Sequence, residues 1–149
     1  MSPDELKARV RRLPDELLTQ GDLAVADELI APDCACHAPA TLAPGVVGAK
    51  RWVAALRRAF PDLSAVVEAE IAEGDMVVQR IACGGTHRGE FLGLPPTGRR
   101  VTWQLVAIQR IGPDGKVAEH WSSWNRLGVL RQLAAQSSPP AAGESGDLG

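Results

Sequence analysis

Gly115 to Gly128, GKVAEHWSSWNRLG, is the stretch whose reading decides the fold. Pro113-Asp114-Gly115 at its head has the composition of a tight turn. The run Arg99 to Ile111 and the segment Lys116 to Asn125 therefore read as two paired strands. Glu119 to Asn125 holds an acid, a histidine, two tryptophans, two serines and an asparagine, too polar and aromatic a mixture for a plain core strand. Side chains alternate across a strand, which groups Glu119, Trp121, Ser123 and Asn125 on one side and His120, Ser122 and Trp124 on the other. One row faces a cavity, and parity alone does not say which.

Upstream, Ser64 to Glu73 and Met76 to Gly84 are two more strands, joined at Gly74-Asp75. Thr86 to Gly98, THRGEFLGLPPTG, is a long loop between the second of them and the Arg99 strand. Ahead of the strands the period changes to that of helices. Ser2-Pro3-Asp4-Glu5 combines a serine cap, an early proline and the spacing of a capping box. Leu6, Val10, Leu13 and Leu17 then draw one apolar stripe, which Pro14 kinks or splits. A second helix spans Leu23 to Ile30, a short strand Cys34 to His37, and a third helix Ala49 to Ala59, with Lys50, Arg51, Arg57 and Arg58 on its solvated face. Arg126 to Leu133 forms a last helical turn. The implied class is α+β: a cone-shaped, strongly curved antiparallel sheet with about three N-terminal helices on its concave face. Residues 1–135 make one domain, and SSPPAAGESGDLG within 136–149 has too little apolar surface to order itself.

The chain has 149 residues, a formal net charge of -2 and interspersed acids and bases, a balance that points away from nucleic acid and polybasic membrane anchoring. No apolar run has the roughly 18 residues of a membrane span, and the N-terminus lacks a signal-peptide core, so a cytoplasmic location is expected. Three cysteines form no disulfide pattern. Cys34-Ala-Cys36-His37 lacks the second ligand pair of a zinc site, so no metal is expected.

A curved sheet partly covered by helices leaves an apolar pocket with a few polar groups, the usual form of a small-molecule site. The candidates for its lining are strand residues that are polar or aromatic where a core would take valine. Arg80 is one, with Glu119 as the ion-pair partner it would need if buried; either Arg80 or Gln79 faces inward. Trp103 and Gln109 share a face of the long strand, as do Trp121 and Ser123 on the last one. His37, His87 and His120 are candidate proton carriers, because histidine titrates nearest neutrality. There is no nucleophile elbow, no HExxH and no phosphate-binding glycine loop.

Taken in order, Gly21-Asp22, Ala31-Pro32-Asp33 with His37, Phe60-Pro61-Asp62-Leu63, Glu73-Gly74-Asp75, Gly85-Thr86-His87, Gly89-Glu90-Phe91, Pro95-Pro96-Thr97-Gly98, Glu119-His120-Trp121 and Leu127-Gly128 resemble the SnoaL-like polyketide cyclases of the nuclear transport factor 2-like superfamily. That resemblance implies a homodimeric, cofactor-free enzyme of secondary metabolism that closes a ring in a polyketide-derived substrate, in the best-understood members by an intramolecular aldol reaction. It also implies a general acid/base aspartate at position 125, where this chain has Asn125. An amide cannot exchange a proton near neutral pH but can hydrogen-bond an oxyanion. Asn125 then orients substrate while His37, His87 or His120 moves the proton, or closure is templated without a relay, or the chemistry is lost. A hydrolase, isomerase or hydroxylase-like relative, or a module that binds a small molecule without turnover, are the rival functions on the same scaffold.

Overall fold

The computed structural model describes residues 1–37 and 45–135. The expected tail and much of the alanine- and proline-rich loop after His37 lie outside them. Helix α1, Pro3–Arg12, starts as its sequence dictates, with the Ser2 hydroxyl accepting from Glu5 N and the Glu5 side chain returning to Ser2 N. Pro14 splits the stripe and opens a wider, π-helical segment, Leu13–Thr19. A proline has no N–H for the α-helical ladder, which is one recognised route to such a change of pitch. The short helix α2, Ala24–Leu29, follows a turn in which Asp22 Oδ1 accepts from Ala24 N. Helix α3, Gly45–Ala59, begins earlier than expected. Gly45 there has φ +67 and sits so close to β1 that an added Cβ would lie 1.9 Å from Pro32 O.

Five strands form one sheet in the order β1-β5-β4-β3-β2. They are β1 (Ile30–His37), β2 (Ser64–Glu73), β3 (Met76–Thr86), β4 (Arg100–Ile111) and β5 (Val117–Trp124). The sheet is mixed rather than purely antiparallel, because β1 runs parallel to β5. Helix α4, Arg126–Ala134, packs Val129 and Leu133 beside Phe60 and Val101. No helix among the described residues is long and apolar enough to cross a membrane.

Two bulges set which residues face the helices. Between Val67 and Ala69 the β2–β3 register slips by one, so Ala65 and Val67 are followed on the inner face by Glu70 rather than Ile71, which is 65% exposed. Between Arg110 and Ile111 the β4–β5 register slips likewise, pairing Ile111 with Val117 but Gln109 with His120. The inner face is bulky at its ends and small in the middle. Leu6, Val10, Leu29, Val77 and Val117 pack at one end; Phe60, Leu63, Phe91 and Val101 pack at the other. At the centre stand Ala65, Cys83 and Ala107 beside Ile81, with Leu18 of the π-helical segment as the helical residue packed against them. The hollow lies over them.

Candidate active site

The hollow has a volume of about 470 Å³. Its roof is Leu13, Leu17 and Leu18 of the π-helical segment with Trp52, Val53 and Leu56 of α3; Cys34 and Cys36 of β1 close one side. One end is aromatic. Trp124 lies with its ring centre 6.4 Å from Trp52, 6.3 Å from Trp103 and 6.3 Å from Phe91. Phe91 comes from the long loop, and His87 holds that loop in place: its Nδ1 accepts from Thr97 N at 3.2 Å, and its ring packs on Phe60. His87 is fully buried, and burial lowers its pKa below the ordinary histidine value. It supports the cavity wall without lining it.

The floor is polar along one line across three strands: Gln79 on β3, Gln109 on β4, and His120 with Ser122 on β5. Gln109 and His120 are a direct cross-strand pair, and His120 Nδ1 donates to Gln109 Oε1 at 2.8 Å. This hydrogen bond fixes the tautomer and leaves Nε2 as the acceptor. Burial first, and the nearby His37 second, push the His120 pKa down to about 4, so the ring is neutral at pH 7. Gln79 is fully buried and donates its Nε2 to Glu70 Oε2 at 2.7 Å. Glu70 in turn pairs with Arg11 of α1. Burial raises all three cavity thiols above the ordinary cysteine value, Cys34 to about 11 and Cys83 to about 12, which disfavours the nucleophilic thiolate. Among the described residues no group of three His, Cys, Asp or Glu converges as a metal site.

The structure thus brings Trp103, Gln109 and His120 together and places the remaining candidates elsewhere. His37 lies on the outer face of the sheet, where it donates to Glu119 at 2.9 Å and stacks on Trp121. Glu119 also accepts from Arg110 at 3.2 Å, and these partners, His37 foremost, hold its pKa below the usual carboxylate value. Arg80 is exposed on that face and pairs with Glu68 at 2.6 Å, not with Glu119 as its burial would have required. Gln79 is the inward member of that neighbouring pair. Trp121 and Ser123 follow the outer row, and Ser123 is exposed. Asn125 is exposed at the end of β5, where it caps α4 by accepting from Gly128 N at 2.8 Å; it is not among the cavity residues. Glu90 is exposed and outside the lining too. Ser122, Trp124, Trp52 and Phe91 are lining residues the sequence reading did not select; their signal is the parity they share with His120 or their place opposite the small sheet centre.

The model of the SnoaL-like polyketide cyclase family matches residues 8–133 of the chain. The nogalonic acid methyl ester cyclase of Streptomyces nogalater is 37% identical over 112 residues, which cover 72% of this chain and 81% of that protein. The aklanonic acid methyl ester cyclase DnrD of Streptomyces peucetius is 34% identical, with 71% and 72% covered. Among solved structures AclR of Streptomyces galilaeus, described as a hydroxylase, superposes with a TM-score of 0.79 at 31% identity over 94% of this chain and 87% of its own.

Proposed function

The chain belongs to the SnoaL-like polyketide cyclase family and is an enzyme of the cyclase type, and from that premise we propose that it closes a ring in a planar polyketide ester by an intramolecular aldol step with His120 as the proton carrier. The observation that supports this reading is the neutral imidazole whose Nδ1–H is held by Gln109 and whose Nε2 is left as an acceptor on the polar floor of a mainly apolar hollow. In the step, Nε2 takes a proton from a carbon next to a carbonyl. The carbanion forms a bond to a second carbonyl carbon of the same molecule. The electron pair of that C=O moves to oxygen, and the oxygen takes the proton back from Nε2–H. No electrons enter or leave.

A pKa near 4 marks a weak base for free protons, but the low value comes mainly from the cost of burying a lone imidazolium. In the reaction the enolate forms beside that cation, and attraction between opposite charges in a dry site offsets part of the cost. The four aromatic rings give a flat substrate faces to stack on, and binding against them brings the two reacting carbons together. The same reading makes the enzyme cofactor-free, cytoplasmic and homodimeric; exposed Val66, Ile71 and Val106 on the outer sheet face suit contact with a second copy.

The test is to incubate the purified protein with nogalonic and aklanonic acid methyl esters and resolve the products by chiral chromatography with mass detection. The expected result is a ring-closed isomer of unchanged mass, formed faster than in buffer and enriched in one stereoisomer. A product distribution matching that in buffer for both esters would remove the reading.

A further inference from the structure

Resting on that reading of the cavity, we infer that Gln79 is a substrate-recognition residue whose Oε1 accepts a hydrogen bond from a hydroxyl on a ring remote from the one being closed. Three observations carry this. Gln79 is fully buried and lines the hollow. Its Nε2 is committed to Glu70 Oε2 at 2.7 Å. Its Oε1 is buried with no hydrogen-bond partner. A buried acceptor left unpaired is costly, so a ligand that supplies a donor there gains what one without it forgoes.

The end of the amide that is free is fixed by chemistry. Only the NH₂ can face a carboxylate, and the Glu70 side chain, 5% exposed, is paired with Arg11. The bulge after Val67 is what turns Glu70 inward to meet Gln79, and α1 supplies the arginine behind it. The three side chains form a relay that holds the Gln79 amide at the cavity wall with its Oε1 left unpaired. A carbonyl or an ether oxygen presented at that point is repelled, and a hydroxyl is matched.

Position gives the second half of the inference. In the sheet register Gln79 pairs with Ala107 and Ala107 with Ser122, so Gln79 is two strands away from His120 and two residues further along. With strands about 4.8 Å apart and about 3.4 Å per residue, the two backbone positions lie roughly 12 Å from each other. A group bound at Gln79 while a carbon reacts at His120 therefore belongs to the far end of an extended, fused-ring molecule. The ligand class is a planar polycycle with a free hydroxyl at the end opposite the closing ring.

Binding can be read without turnover, using anthraquinone, 2-hydroxyanthraquinone and 2-methoxyanthraquinone as probes at pH 6.5, by quenching of tryptophan fluorescence. In wild-type protein the hydroxyl compound should bind about 10-fold tighter than the other two. In Gln79→Met, which keeps length and loses the acceptor, that preference should fall to within about 2-fold. A wild-type protein that binds all three alike, or a hydroxyl preference that survives in Gln79→Met, overturns the inference. Should that variant fail to fold, a crystal structure of the wild-type complex decides: the hydroxyl within about 3.2 Å of Gln79 Oε1 supports it, and any other partner overturns it. The ester assay is read separately, so loss of the ring-closing reading and loss of this subsite give different results.

Discussion

The two faces of β5 carry nearly the same residue types, and they do different work. On the outer row Glu119 sits in a network with His37 and Arg110, partly in solvent, and its charge is stabilised there. On the inner row, one residue away, His120 has a single amide partner and its charge is penalised by burial to a pKa of about 4. A histidine and a carboxylate at the surface form an ordinary ion pair worth little. The same imidazole on the inner face is kept neutral, with its tautomer fixed by Gln109. Which side of the strand a residue occupies thus determines its chemistry.

The sharpest way to break this contrast is to remove the imidazole from each face in turn. His120→Gln should lower kcat on the ring-closing ester by 100-fold or more, the usual loss when a positioned acid/base group is removed. His37→Gln, on the outer face, should leave kcat within about 2-fold. Initial rates for the two purified variants make the comparison; equal losses would mean that the outer row also reaches the reaction.

How far the sequence allowed this to be foreseen turns on one residue. The first helix start, the splitting effect of Pro14, the hairpin at Gly74-Asp75 and the long strands all have local signatures and formed close to their expected bounds, whereas α3 and β1 each begin four residues earlier than expected. The rows on β5 could be grouped but not oriented. Counting outward from the turn with Ile111 opposite Val117 sets Gln109 opposite Glu119, which would place Trp121, Ser123 and Asn125 on the same face as Trp103. The bulge between Arg110 and Ile111 moves the register by one and puts His120 opposite Gln109 instead. No glycine or proline marks it; Ala118, the additional residue, is unremarkable in sequence. The slip in β2 is equally silent and decides that Glu70, not Ile71, turns inward. Asn125 lies outside the hollow as the cap of α4, whereas His120, alone of the three histidines, lines it.

A smaller effect sharpens the same contrast through stability. The folded-state pKa of His120 lies below the ordinary value of about 6.5, so between those limits the unfolded chain binds more protons than the folded one. Stability should be full above about pH 6.5 and decline as pH falls towards about 4. The shift corresponds to about 3 kcal/mol across that window. Buried His87, shifted in the same direction, adds to the decline. Urea unfolding at a series of pH values measures it, and His120→Gln should flatten the larger part. A variant that declines as steeply as the wild type would assign the pH dependence to other groups.

The smallest effect concerns Asn125, where family likeness and geometry pull in different directions. Its backbone leaves β5 and its side chain is engaged by Gly128 N, in a cap so close that a Cβ on Gly128 would lie 2.6 Å from Asn125 Nδ2. Asn125→Ala removes that acceptor and should cost about 1 kcal/mol of stability, the ordinary price of a lost helix cap. Because α4 packs Val129 and Leu133 near the aromatic end of the hollow, KM can rise modestly as the helix loosens, while kcat stays within about 2-fold. Asn125→Asp, which keeps a capping oxygen and places a charge at a helix N-terminus, should leave both stability and rate near those of the wild type. A gain in kcat for the aspartate variant, with the alanine variant folded but inactive, would return position 125 to the chemistry and mean that β5 presents its outer end to the substrate after all.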